Sequence, residues 1–277
     1  MWQHDATQAN LAILARRGVG RVGPSAGALA EGESGIGRMA EPLEIVAAIA
    51  DRLAEGVSLS GRRVLVTSGP THEAIDSVRY IANRSSGRQG HAIAAALARR
   101  GAATLLVSGP TAESDPPGVE VRHIESAREM LQASLACLPV DAAICAAAVS
   151  DWRPADPATQ KVKKRRGEAP PALALVENPD ILARLAAPGN QRPRLVVGFA
   201  AETENLVENA KAKRLAKQCD WILANDVGPG TGTFGGEQNT VHLVTAAGVE
   251  SWPTLSKREV AERLADRVAG QLAQPRP

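Results

Sequence analysis

The sequence predicts an α/β protein: a Rossmann-like, doubly wound, mainly parallel sheet with helices on both faces. Three observations lead there. From Arg62 onward, short runs rich in β-branched residues alternate with helical segments, as parallel strands covered on both faces by crossover helices require. The chain has 277 residues, 44% of them apolar, which is enough to bury the core of one large domain or two small ones. Lys+Arg 32 against Asp+Glu 30 leaves a formal net charge of +2, so an anion must be held by a local site and not by a global field.

The N-terminal stretch stands apart. A short helical segment over 6–17 is followed by GVGRVGPSAGALAEGESGIGRM, dense in glycine and without periodic pattern, and then by a helix from Glu41 or Pro42 to Leu53. Such a stretch cannot bury a core alone, so 1–54 is expected to be a separate part, with EGVSLSG (55–61) as a connector and 62–277 as the main domain. That domain reads in order as VLVTS (64–68), a helix over 86–100, TLLVS (104–108), VEVRHI (119–124), a helix over 127–136 and AAICAAAV (142–149). It continues with LALV (173–176), a helix from Pro179, LVVGF (195–199), a helix over 204–218, WILAN (221–225), VHLVT (241–245) and a last helix over 257–272. No internal repeat is found.

Several function classes lose ground. No apolar run approaches the ~18 to 20 residues needed to cross a bilayer, and MWQHDATQAN lacks the basic flank and apolar stretch of a signal peptide, so a cytoplasmic protein is expected. Cys137, Cys145 and Cys219 are odd in number with no CxxC pair, which argues against a disulfide framework and a zinc site. An aromatic content of 3% cannot supply a stacking platform for single-stranded nucleic acid.

In open α/β sheets ligands sit beyond the carboxyl ends of the strands. After VLVTS comes SGPTHEAIDSVRYIANRSSGRQG, far longer than an ordinary strand-to-helix loop. Asn83-Arg84-Ser85-Ser86-Gly87 offers either a phosphate site, with Arg84 and Arg88 near a helix N-terminus, or a plain cap by Ser85 or Ser86. The glycine spacing fits neither GxGxxG nor GxxxxGK[ST]. After the alanine-rich strand, Asp151 precedes KVKKRR (161–166), which is either a solvated basic face or a cluster that neutralises a polyphosphate. Asn178-Pro179-Asp180-Ile181 looks like a helix start, with a cap and a proline in the first turn. Lys213 and Lys217, four residues apart, share a helix face without intervening acids, so they either splay into water or face an anion.

Taken together, GPTHEAIDSVRYIANRSSGRQG, AAAVSDWRPADPATQKVKK, NPDIL, VVGFAAETENL and ANDVGPGTGTFGGEQN, in this order, closely resemble the phosphopantothenate–cysteine ligase half of bifunctional bacterial coenzyme A biosynthesis proteins. The resemblance runs from about Gly61 to Val268 and includes SKREVAERLADRV. The stretch before it resembles the last part of a flavin-dependent phosphopantothenoylcysteine decarboxylase, with Glu31 where some members carry an acid cysteine. The FMN-binding body of that domain would lie upstream of Met1, so decarboxylase activity is not expected of this chain.

The resemblance implies that 4′-phosphopantothenate and CTP, with Mg2+, give an acyl-cytidylate and pyrophosphate, after which cysteine displaces CMP. It implies that Lys161, Lys213 and Lys217 meet the triphosphate, and that Asp151, Ala146 and Ala147 contact the nucleotide. Asn178, Pro179, Asp180, Ile181 and Phe199 line the cytosine and ribose pocket, and Asn83 hydrogen-bonds the acyl-cytidylate. It implies a homodimer, and it leaves the metal ligands unidentified. Two other readings compete: a non-catalytic Rossmann-like module that binds a nucleotide or flavin, and a structural partner of a separate decarboxylase docked through 1–54.

Overall fold

The computed structural model describes residues 2–28, 34–42, 44–46, 48–49, 58–163, 172–202, 204–226 and 238–274. Two compact units divide the chain, Met1–Gly56 and Val57–Pro277.

In the first unit, α1 (Asp5–Arg16) is capped by His4, whose Nδ1 accepts from the Ala6 amide at 3.2 Å. The glycine-rich segment, which shows no pattern in the sequence, forms a hairpin: β1 (Ser25–Ala28) and β2 (Ser34–Arg38) pair antiparallel, with Gly27 opposite Gly35 and Ala26 opposite Ile36. The glycines hide the period-two pattern because they have no side chain to show it. At Gly27 an added Cβ would lie 3.1 Å from Arg38 Cδ, so the small residue is where the cross-strand arginine lies over the backbone. Glu31 and much of the expected 41–53 helix lie outside the described residues.

The second unit begins with β3 (Arg63–Ser68), a small hairpin of β4 (His72–Ala74) and β5 (Tyr80–Ala82), α2 (Arg88–Arg99), β6 (Ala103–Ser108), β7 (Glu120–His123) and α3 (Ala127–Ala136). Then come β8 (Ala142–Cys145), β9 (Trp152–Pro154), β10 (Leu175–Glu177), α4 (Ile181–Ala186), β11 (Leu195–Glu202), α5 (Leu206–Lys217) and β12 (Trp221–Asp226). The unit closes with β13 (Gln238–Asn239), β14 (Val241–Val244), β15 (Val249–Ser251), β16 (Leu255–Ser256) and α6 (Lys257–Ala273).

Eight strands form the central sheet in the order β15-β14-β12-β11-β8-β3-β6-β7, parallel except for β14 and β15 at one edge. Alternate residues of β3 divide the core. Val64 and Val66 pack with Ile93 and Leu97 of α2 and with Val260, Leu264 and Val268 of α6 on one face. Leu65 turns to the other face, where Met130 of α3 and Ile181 and Leu185 of α4 cover it. Because β3 leads into α2 on the first face and β8 leads toward α4 on the second, the chain parts between two adjacent strands. A crevice opens at their carboxyl ends.

Two strands differ from expectation. β8 stops at Cys145, not Val149, because the alanines beyond it leave the β11 ladder and bond to the end of β3: the Ala146 amide donates to Thr67 O at 3.2 Å and Ala148 to Gly69 O at 2.9 Å. LALV contributes only to β10, which pairs antiparallel with β9 outside the main sheet and is exposed throughout.

The carboxyl end of β3 tolerates no bulk. An added Cβ at Gly90 would lie 2.5 Å from Ser68 Cβ and 3.0 Å from Ser68 Cα, so only glycine lets the first turn of α2 rest on the strand. Gly90→Ala should push α2 off β3 and cost about 1 to 3 kcal/mol, as overpacking does. A chemical-denaturation midpoint equal to wild type would contradict this.

Candidate functional site

A cavity of about 980 Å3 occupies the crevice. Its floor is the end of β3 and the Cys145–Trp152 turn, and its walls are Asn83–Gly90, Glu177–Leu182, Phe199 and Ala201 of β11, Lys213 and Lys217 of α5, Asn225, Asn239 and Lys257. Of the residues singled out in the sequence, Asn83, Ala146, Ala147, Asp151, Asn178, Pro179, Asp180, Ile181, Phe199, Lys213 and Lys217 meet here. Lys161 is exposed and does not line the cavity.

The serines of Asn83-Arg84-Ser85-Ser86-Gly87 do not cap α2. Gly87 is the N-cap, left-handed at φ 77°, and no side chain hydrogen-bonds the first-turn amides. Ser85 Oγ accepts from the Gly87 amide at 3.3 Å, and Thr111 Oγ1 donates to Ser86 O at 2.6 Å. The helix starts two residues later than expected because Ser68 Oγ donates to Gly87 O at 2.9 Å and lies 3.0 Å from His91 Nδ1, which pins the turn. The free amides face the cavity wall at the positive end of the helix dipole, an arrangement suited to phosphate oxygens.

Two asparagines join the loops across the crevice. Asn83 Nδ2 donates to Val149 O at 2.9 Å, and Asn178 Nδ2 donates to Ser150 O at 2.9 Å. The Asn178 amide also donates to Asp151 O at 2.8 Å. Arg153 completes the knot by donating to Asn178 Oδ1 at 3.3 Å and to Glu177 O. Asn178 is therefore held by the protein, and the helix cap expected of it falls to Asp180, whose carboxylate accepts from the Ala183 amide at 2.9 Å. Pro179 precedes the cap and is not in the first helical turn. Its fixed φ stiffens the entry to α4.

The two lysines of α5 have an acid after all, supplied by another element. Lys217 Nζ donates to Asp180 Oδ2. Burial opposes the Asp180 charge, but the Ala183 amide, Lys217 and Lys213 together hold its carboxyl below the usual value. Lys213 makes no ion pair among the described residues. Cys145 lines the cavity, but burial pushes its thiol up to about 12, so it is protonated at neutral pH and is no nucleophile.

Lys161 is placed by an anchor that the sequence did not signal. Asp76, buried under the β4–β5 turn, accepts from the Val78 and Arg79 amides at 2.9 Å each, from the Arg79 guanidinium and from the Val162 amide at 3.1 Å. Arg79 also donates to Val162 O at 2.9 Å. These donors, Arg79 foremost, hold the Asp76 carboxyl far below the ordinary carboxylate range. The residue next to Lys161 is thereby fixed to the hairpin that leads to Asn83.

Gln89, Asn225, Asn239 and Lys257 also line the cavity, and no role was read for them in the sequence. All four lie inside the quoted stretches. Lys257 is the first residue of α6, which opens with a Ser256–Glu259 capping box.

Residues 59–272 match the family described as the DNA/pantothenate metabolism flavoprotein C-terminal domain. The chain belongs to this family. The coenzyme A biosynthesis bifunctional protein CoaBC of Vibrio parahaemolyticus is 41% identical over 269 residues, covering 97% of this chain and 67% of that protein. The protein of the same name from Escherichia coli is 42% identical over 270 residues, covering 97% of this chain and 66% of its own length. The chain thus spans about two thirds of the curated relatives it matches. Among solved structures, the C-terminal domain of a CoaBC superposes with a TM-score of 0.65 at 35% identity, over 78% of this chain and 98% of that one. A Cab2 variant at 16% identity, with a TM-score of 0.59 over 82% of this chain and 94% of its own, shares the fold.

Asp76→Asn should free the 158–163 segment and lower the thermal midpoint. Its folded-state pKa is depressed, so its stabilisation is present above the unfolded carboxylate value of about 3.9 and is lost as pH falls through the lower folded value. The wild-type and Asp76→Asn midpoints should therefore differ at pH 7 and begin to converge only as pH falls below about 4. A difference independent of pH would refute the charged anchor.

Proposed function

We propose that the chain is a ligase of coenzyme A biosynthesis that joins 4′-phosphopantothenate to cysteine at the expense of CTP, through an acyl-cytidylate. The observation that carries this is the convergence, in one crevice, of five separated segments matching such ligases: Asn83–Gly87, Ala146–Asp151, Asn178–Ile181, Phe199 and Lys213 with Lys217. The curated relatives are bifunctional coenzyme A biosynthesis proteins, and a Cab2 variant has been solved with phosphopantothenate-cysteine. Residues 62–277 form the ligase domain in this reading, 55–61 the linker, and 1–54 the closing part of a decarboxylase domain. The 97% coverage supports the last point, since the family match itself begins only at residue 59.

In the first step a carboxylate oxygen of phosphopantothenate attacks the α-phosphorus of CTP. The new O–P bond forms as the α–β bridging bond breaks, and pyrophosphate leaves. Lys213 and the open N-terminus of α2, which line the cavity, and Lys161, from the exposed loop outside that lining, screen the anions and receive the leaving charge in this reading. Lys217, held by Asp180, keeps α5 against the NPDI segment that lines the cytosine pocket with Phe199. Mg2+ enters this reading as the counter-ion of the triphosphate. In the second step the cysteine nitrogen attacks the acyl carbon. A C–N bond forms, the acyl C–O bond breaks, and the nitrogen's proton passes to the departing CMP phosphate.

The protein acts as a homodimer in this reading. Val78, Tyr80, Trp152, Leu175 and Val176 are exposed apolar side chains on β9, β10 and the β4–β5 hairpin, beside the mouth of the cavity, and a second copy would cover them.

CTP-dependent release of pyrophosphate with phosphopantothenate tests the reading. CTP should far outperform ATP, because a pocket fitted to a pyrimidine edge leaves buried polar groups unpaired around a purine. Equal rates with ATP would sink the nucleotide assignment. Asn83→Asp sets a carboxylate oxygen against Val149 O where an amide now donates, and adds charge beside the anhydride. The repulsion of ~1 to 4 kcal/mol at 4 Å should slow the cysteine step more than pyrophosphate release, so the acyl-cytidylate accumulates and is seen by mass spectrometry. Wild-type turnover in Asn83→Asp would remove the residue from the reaction.

A further inference from the structure

The segment after β9 is ordered without a core of its own. From Ala155 to Lys163 only Ala158 and Val162 are partly covered, and every other residue is exposed. Those two are the ones bonded to the β4–β5 hairpin. The Ala158 amide donates to Ile75 O at 2.9 Å, and Val162 is held through its amide by the Asp76 carboxylate and through its carbonyl by Arg79. Between the two anchors lie Thr159, Gln160 and Lys161, and Lys161 is the one charged side chain among them. Holding an exposed polar stretch in one conformation costs backbone entropy, and here almost no apolar burial offsets it.

The other end of the hairpin is tied to the cavity floor. The Ser150 amide donates to Thr71 Oγ1 at 3.0 Å just before β4, and Asn83 Nδ2 donates to Val149 O at 2.9 Å just after β5. Val149 and Ser150 both line the cavity. The hairpin is thus a strut, rooted on the floor at both of its ends and carrying the Lys161 loop at its tip. Asp76 is the joint at that tip. Its side chain is fully buried, and the Val78 and Arg79 amides and the Arg79 guanidinium already satisfy it from within the turn. The Val162 amide, 86 residues away in sequence, is a further donor that the turn itself does not need.

We propose that Asp76 is a positioning residue for the first step of the ligation: by fixing Val162 to the hairpin it sets the backbone from which Lys161 reaches the triphosphate. The assignment rests on the ligase reading and adds to it a residue that acts through Lys161. Lys161 is exposed and stands outside the cavity lining, so on an unanchored loop its backbone and its side chain would have to be ordered together when the nucleotide arrives. With Ala158 and Val162 fixed, only the side chain remains to be ordered. A contact made in the transition state is sensitive to this, because a small misplacement of a charge weakens it steeply. Asn83 keeps its own bond to Val149 O at the root of the strut, so the cysteine step does not depend on the joint at the tip.

The test follows the first step alone in the full chain, as pyrophosphate release from CTP and phosphopantothenate without cysteine, at temperatures well below each variant's thermal midpoint. Asp76→Asn should slow release about 10- to 100-fold, and Lys161→Ala at least as much. The double variant should be no slower than Lys161→Ala, since Asp76 then has nothing left to position. Val162→Pro removes the cross-loop donor and leaves the Asp76 charge in its turn. It should slow release in the same sense with the same non-additivity, which keeps the test open if Asp76→Asn does not fold. Transfer to cysteine from acyl-cytidylate already formed should change little in Asp76→Asn and Val162→Pro. Losses that multiply in the double variant, equal slowing of both steps, or wild-type release in Asp76→Asn, Val162→Pro or Lys161→Ala would overturn the inference. The two levels separate on the wild type: if it releases no pyrophosphate the ligase reading itself fails, and if it does, any of those outcomes removes Asp76 from the reaction and leaves the ligase.

Discussion

Two neighbouring strands, β3 and β8, send their chains to opposite faces of the sheet, and the rest of the site depends on that parting. Both strands are buried on both sides, so their carboxyl ends are fixed by the core and cannot drift. The segments leaving them must bridge the gap with loops whose backbone groups have no sheet to satisfy them. The crevice is therefore lined by peptide groups seeking partners, and the side chains of Asn83, Asn178 and Thr71 supply some of them. The Ser150 amide, for example, donates to Thr71 Oγ1 at 3.0 Å across the opening. A binding cavity at this place follows from the topology, and its chemistry from which of these groups are left over.

Charge is distributed by the same logic. The chain as a whole is nearly neutral, yet Lys213, Lys217, Lys257, Arg84 and Arg88 gather around one cavity. These cations differ in whether a local acid holds them: Lys217 leans on Asp180 and Arg88 on Glu113, whereas Lys213 has no such partner among the described residues. A paired lysine positions structure, while an unpaired one has its charge available to an incoming anion. Asp76 works at the margin of the site, where its carboxylate gathers donors from a turn and from the segment beside Lys161. It converts a stretch that would otherwise be a solvated basic run into one with a fixed point of attachment.

How much of this was legible in the sequence can be argued from particular elements. β3, β6, α3, β12 and α6 lie close to where the apolar runs placed them, because each is a buried run or an amphipathic helix with a clear start, such as the S-x-x-E boxes at Ser126 and Ser256. β1 and β2 were not legible, since glycine carries no hydrophobicity to alternate. The caps at Gly87 and Asp180 were misplaced for one reason: a serine or asparagine in a loop can bond locally or reach across the fold, and only the fold decides. The Asp180–Lys217 pair joins residues 37 positions apart, so no helical spacing could reveal it. The motifs did bring the right residues to one cavity, but not their division of labour.

That division becomes visible from hydrogen-bond satisfaction. Asn83 and Asn178 spend their amide protons on Val149 O and Ser150 O, and Asn178 spends its oxygen on Arg153 as well. These bonds fix the wall: their geometry defines where a ligand lies, and their loss would loosen it. Gln89 and Asn239 share the same cavity and the same chemical group, yet each has a buried oxygen with no partner among the described residues. A buried acceptor left unpaired carries a desolvation penalty that an apolar group of similar shape would not. Of the five carboxamides that line the cavity, Asn83 and Asn178 thus close the site by bonding across it, whereas Gln89 and Asn239 each carry an oxygen sealed from solvent and without a partner among the described residues.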